Sequence, residues 1–145
     1  MLRHIRIVGN DSETGEEISD TKLLGFFESE KLCKEKILFY IQQPGFKDHV
    51  EGFVIEEVTA DVDEYNDVPG EFKQYVYFLS HEYYDGQYDN IANIGYYSKL
   101  ENAKKAEEKY MFNLEFRNHS EGFSIGQYEI NQAYWKFGFR YSEYE

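Results

Sequence analysis

Apolar and polar positions fall into the same order twice along this chain. Tyr75-Val76-Tyr77-Phe78-Leu79 is a run of aromatic and β-branched residues and predicts a strand. Ile5-Arg6-Ile7-Val8 predicts one at the matching place near the N-terminus. The stretches 10–20 and 81–90 are polar and read as loops. Second strands are predicted over 22–27 and 93–97, each with an interior glycine, Gly25 and Gly95. A glycine inside a strand marks a bulge or a close backbone approach. Cys33, Ile37, Tyr40 and Ile41 then recur at helical spacing, as do Ala103, Ala106, Tyr110 and Leu114. Ser98 and Glu101 have the spacing of a capping box, and Pro44-Gly45 ends the first helix. Third strands are predicted over 53–58 and 123–130. Each half therefore reads β-β-α-β.

The two halves share residues as well as a pattern. Displaced by 70 positions without a gap, Gly25 falls on Gly95, Lys34 on Lys104, Tyr40 on Tyr110 and Phe46 on Phe116. The string His-x-Glu-Gly-Phe-x-Ile occurs at His49–Ile55 and again at His119–Ile125. A tandem duplication accounts for both. A helix covers one face of a three-stranded sheet, and a unit of that size is marginal by itself. The expected fold is α+β, with about six strands and two helices related by a pseudo-twofold axis. It is expected as one compact domain over 1–145, built from repeats 1–70 and 71–140 with a short aromatic C-terminal tail.

Leu79-Ser80-His81-Glu82-Tyr83, Ile94-Gly95-Tyr96-Tyr97-Ser98 and Glu121-Gly122-Phe123-x-Ile125 resemble the motifs of a small bacterial domain of unknown function. Pro44-Gly45-Phe46-Lys47-Asp48 ahead of Glu51-Gly52-Phe53 resembles the same family. The likeness covers about two-thirds of each repeat and implies no catalytic residue. Repeat one departs from it, because its first strand ends Val8-Gly9-Asn10 without Ser-His-Glu. Small, acidic, duplicated chains of this kind also resemble, in type, the immunity proteins of bacterial toxin systems.

Composition narrows the functions. The 145 residues include 14 Tyr, 12 Phe and 1 Trp, too much ring surface for a disordered chain. A single cysteine excludes an internal disulfide and a multi-cysteine zinc site. Against 28 Asp and Glu stand 15 Lys and Arg, a formal charge of −13. That balance repels nucleic acid and anionic membranes. The N-terminus has no signal-peptide pattern and no window has the apolar length of a membrane span, so a cytoplasmic protein is expected.

Candidate chemistry is sparse. His49 and His119 invite an acid–base or metal reading, with Glu51 and Glu121 the repeated acidic neighbours. The structural expectation is that each histidine shapes the turn before the third strand through a ring-to-backbone bond. His81-Glu82 with Asp85 and Asp89 match no zinc spacing. Asp61, Asp63, Glu64 and Asp67 begin like a calcium loop, but Asn66 and Phe72 stand where Gly and Glu are required. Cys33 is expected as a small buried thiol. No enzyme, cofactor or metal site is expected.

Two stretches carry acids with no base among them, 11–20 with five and 56–67 with six. Residues 1–70 carry 7 basic and 16 acidic residues, whereas 71–145 carry 8 and 12. An acidic, tyrosine-bearing surface suits a basic protein partner, which it steers and selects. The residues expected to carry it are Glu56, Glu57, Asp61, Asp63, Glu64 and Asp67, with Tyr83, Tyr84 and Tyr88. The concrete expectation is a non-enzymatic protein, monomeric when free, that occludes a basic nuclease-type toxin. The alternative is a small-molecule sensor or adaptor with a ligand held between the two repeats.

Overall fold

In the computed structural model, which describes residues 1–10 and 12–139, strand β1 (Leu2–Asn10) pairs antiparallel with β2 (Glu17–Gly25). Helix α1 (Glu30–Tyr40) follows, and β3 (Phe53–Ile55) returns antiparallel to the start of β1. The second repeat supplies β4 (Tyr75–Tyr84), β5 (Asp89–Tyr97), α2 (Leu100–Tyr110) and β6 (Phe123–Glu129). The result is α+β, with two three-stranded antiparallel sheets of order β2-β1-β3 and β5-β4-β6. Both β-β-α-β readings hold. The hairpins are longer than expected, because their arms continue through much of the stretches read as loops. The third strands are shorter, and β3 keeps only three residues.

The glycine inside each second strand does mark a bulge. Leu2 pairs with Gly25 but Arg3 with Leu23, so Leu24 is the extra residue. Leu79 pairs with Gly95 but Ser80 with Asn93, so Ile94 is its equivalent. These bulges also fix the register between the repeats, and they correct the matching of the first strands. Leu2 corresponds to Leu79 and His4 to His81, a displacement of 77 rather than 70. Repeat one therefore has the histidine of the Leu-x-His string. It stands upstream of Ile5–Val8, where the gapless displacement hides it.

Each sheet packs one face on its helix. In the first unit Leu2, Leu24, Cys33, Tyr40, Phe46 and Phe139 form the core. Burial pushes the Cys33 thiol pKa up, as suits an inert core residue. In the second unit Leu79, Tyr97, Ala103, Ala106, Tyr110 and Phe116 do so. Leu114 does not join the helical face, because α2 ends at Tyr110 and Leu114 lies exposed in the turn beyond. The helix starts also differ. Ser29 caps α1 by accepting from Leu32 N at 3.1 Å. The capping box expected from Ser98 and Glu101 does not form, because a carboxylate from far along the chain takes Ser98 instead. Asp61 accepts from Ser98 N at 2.9 Å and from Ser98 Oγ at 2.6 Å.

That contact shows how the compact units differ from the repeats. Among the described residues, one unit is Met1–Glu57 completed by 131–139, and the other is Val58–Ile130. In each, the segment that follows the third strand of one repeat closes the unit built from the other. Asp61 and Asn131 hold equivalent places, both with positive φ, 65° and 69°. Asn and Asp tolerate that left-handed backbone better than other side-chain-bearing residues. Asp61 N donates to Tyr96 O at 2.8 Å, and Asn131 N donates to Phe26 O at 2.7 Å. Asn131 Oδ1 accepts from Glu28 N at 3.1 Å, as Asp61 Oδ1 accepts from Ser98 N. The residues 140–145 of the aromatic tail lie outside the described residues, as does Asp11.

Candidate functional site

The four histidines of the chain are the first place to look for chemistry, and they form two equivalent pairs. His4 Nε2 donates to the His49 carbonyl at 2.7 Å, and His81 Nε2 donates to the His119 carbonyl at 2.6 Å. The expected ring-to-backbone bond is therefore present with the roles changed. The turn histidine offers its carbonyl, and the ring comes from the first strand. His4 and His81 are each 1% exposed. Phe46 and Phe53 stand edge-on to His4 at 4.9 and 4.8 Å, and Phe116 and Phe123 lie at 4.6 Å from His81.

This packing explains the repeated string. The glycine of Glu-Gly-Phe lies against the buried ring. A Cβ on Gly52 would sit 2.7 Å from His4 Nε2, and one on Gly122 would sit 2.7 Å from His81 Nε2. The phenylalanine that follows supplies one wall of the ring's pocket. A bond from Nε2 to a carbonyl, which only accepts, places a proton on Nε2. Nδ1 of both rings is buried without a hydrogen-bond partner. Sealed at 1% exposure, neither ring reaches a solute.

Burial lowers the His4 pKa below its ordinary value, outweighing the His49 carbonyl, which favours the protonated ring. Lys22 pushes the same way as burial, and Glu51 opposes it. The unfolded chain therefore binds a proton at His4 more readily than the folded one. The stability this gives is complete above about pH 6.5 and is lost as pH falls toward the folded pKa. Urea unfolding at pH 7 and pH 5 is expected to show a lower midpoint at pH 5. The loss attributable to this group is at most about 1.4 kcal/mol per pH unit, and His4→Gln is expected to remove that part of the slope.

His49 and His119 keep part of their rings in solvent, each with a glutamate oxygen at 3.9 Å, from Glu51 and Glu121. Tyr83 stacks on the His119 ring at 3.8 Å with the planes 8° apart. Among the described residues no group of three or more His, Cys, Asp or Glu is placed to hold a metal ion.

A charged cluster that sequence reasoning missed lies on the first sheet. Lys22 is 8% exposed, bonded to Asp20, and its Nζ stands 4.0 Å over the Phe139 ring. Arg6 bonds the same carboxylate at 3.2 Å and stands 5.0 Å over Phe139. Burial alone would raise the Asp20 pKa, but the bonds and charges of Lys22 and Arg6 outweigh it and hold the carboxyl low. The signal in the sequence is Lys22 at the head of the otherwise apolar stretch 22–27.

The acidic residues separate by role. Asp61 and Asp63 work inside the second unit. Asp61 anchors the start of α2, and Asp63 accepts from Tyr97 OH and from the Tyr65 and Asn66 amides at 2.7 and 3.0 Å. Burial and the Asp63 carboxylate push the Tyr97 phenol pKa well up, and burial takes Tyr110 up to about 12. Glu56 pairs with Arg3 at 3.3 Å in the first unit, and Glu57 stands exposed beside it in sequence. Glu64 and Asp67 are exposed on the second unit. Of the tyrosines, Tyr83 is half-buried on His119. Tyr84 is exposed, its OH donating to Gly86 O at 3.0 Å, and Tyr88 sits in the same hairpin turn. Asp85 ties that turn, and bonds from Tyr88, Asn90 and Gln87 hold its carboxyl pKa down.

No described helix is long and apolar enough to cross a membrane. No family model, curated protein or solved structure matches this chain.

Proposed function

We propose that this chain is a non-enzymatic binding protein whose exposed carboxylates and tyrosines mask a basic protein. The observation that carries this reading is the state of the carboxylates outside the fold's own contacts. Glu57, Glu64 and Asp67 are exposed and have no Lys or Arg ion-pair partner among the described residues, in a chain of net charge −13. Unpaired surface carboxylates raise the rate at which a cationic surface is met, and they repel phosphate polymers. Tyr84 and Tyr88 add the ring area that protein interfaces favour. The most concrete form is an immunity protein in a bacterial cytoplasm. It would lay carboxylates over the Lys and Arg of a nuclease toxin in place of substrate phosphates.

The test is titration of the purified chain against a panel of purified cationic nuclease toxins, with calorimetry and nuclease assays. A stoichiometric inhibitory complex is expected with at least one. Its association is expected to slow by about 10- to 100-fold in an E57K/E64K/D67K variant. Binding should weaken steeply toward 0.5 M salt, where screening shortens to about 4 Å. A complex indifferent to both the variant and the salt, or no complex with any nuclease, overturns the reading.

A further inference from the structure

The two repeats differ in length at one place. From Gly25 and Gly95 to Asp61 and Asn131 they match without a gap. Upstream, Leu24 lies 20 residues after His4, whereas Ile94 lies 13 after His81. Repeat one thus has seven extra residues, all in the β1–β2 hairpin. The fold does not require them. The shorter hairpin of the second unit builds the same sheet order, the same bulge and the same histidine-to-carbonyl bond.

The extra length forms a ribbon. Among the described residues β3 pairs only with Leu2–His4, while β1 and β2 run on together from Ile5↔Thr21 to Asn10↔Glu17. A two-stranded ribbon is marginal in water, and apolar side chains on it gain little from a core. Yet Ile7, Val8 and Ile18 sit at neighbouring register positions on it, 56%, 49% and 48% exposed. Glu13, Glu16 and Glu17 are exposed around them, and no Lys or Arg occurs between Arg6 and Lys22.

From this we infer that the β1–β2 ribbon is the arm that grips the cationic protein partner. Its isoleucines and valine enter an apolar centre, and its glutamates meet the Lys and Arg around that centre. Charge selects the occupant. Arg6 and Lys22, at the base of the arm, are paired with Asp20, and beyond them an apolar tip whose charged residues are all carboxylates matches a basic protein surface and opposes nucleic acid or an anionic bilayer. The inference rests on the reading above and assigns it to one element.

The test uses the full chain, the same panel of cationic nucleases and two variants, I7S/I18S and E13K/E16K/E17K. All five positions are exposed, so the fold is expected to survive, and circular dichroism checks it. At least tenfold weaker binding is expected in each variant. Slowed hydrogen exchange is expected at residues 5–10 and 17–21 of the wild-type chain in the complex. A wild-type complex that both variants match within twofold, with no protection in the ribbon, overturns the arm and leaves the binding reading standing. No complex with any nuclease overturns both. A nuclease-free dimer of the wild-type chain that I7S/I18S abolishes reassigns the ribbon to a second copy and overturns the cationic partner.

Discussion

Gly52→Ala and Gly122→Ala are each expected to destabilise the protein by about 3 kcal/mol, read as a drop in the urea midpoint at unchanged slope. Neither glycine is there for backbone freedom, since neither has a positive φ. The reason is space. A Cβ on Gly52 would lie 2.3 Å from Ile5 O and 2.7 Å from His4 Nε2. One on Gly122 would lie 2.5 Å from Glu82 O and 2.7 Å from His81 Nε2. The carbonyls belong to sheet backbone and the rings are buried between phenylalanines, so neither can give way cheaply. Relief would require breaking the bond from the histidine to the turn carbonyl, which leaves a buried carbonyl and a buried N–H unpaired. Gly9→Ala is the control, because a Cβ there meets nothing within 4 Å. It is expected to change stability by no more than about 0.5 kcal/mol. If Gly52→Ala matched Gly9→Ala, the buried histidine would not be what pins the turn.

Ending the chain after Ile130 is expected to unfold the first unit at room temperature. The lost segment carries three kinds of support. Phe139 is 8% exposed and packs edge-on to Phe46 at 4.9 Å, and loss of a buried phenylalanine ring costs about 3–5 kcal/mol. Tyr40, fully buried in the same core, donates its OH to Tyr134 O, and burial pushes its phenol pKa well up. Asn131 supplies an acceptor to Glu28 N at the approach to α1. Together they approach the whole stability of a small domain, about 5–15 kcal/mol. In the second unit Tyr83, from its own hairpin, lies against His81 and His119. Hydrogen exchange checks the outcome. Amides of Leu2–His4 and of α1 in the truncated chain are expected to exchange at rates near those of an unfolded peptide. Native protection of those amides would show that the returning segment is dispensable.

Periodicity and repetition in the sequence are enough to find both helices, all six strands and the bulge glycines. These signals depend on neighbours within a few residues: aromatic runs for strands, spacing of three and four for helices, glycine inside a strand for the bulge. The burial of Cys33 follows in the same way, from its place on one face of a helical pattern. The partner of each buried histidine is another matter. His4 and His81 match only at a displacement of 77, while the rest of the repeat keeps 70, and a hairpin's length is free to vary as long as its strands pair. The start of α2 shows the same limit. Ser98 and Glu101 satisfy a local rule, but Asp61, 37 residues away, offers a charged acceptor and wins. The contacts that close the units span 94 residues from Tyr40 to Tyr134 and 103 from Glu28 to Asn131. Local sequence determines which elements form, because propensity and periodicity act over a turn or a hairpin. Only tertiary structure decides which segment closes each unit, and which carboxylates and histidines are absorbed in doing so, since burial pairs groups by proximity in space.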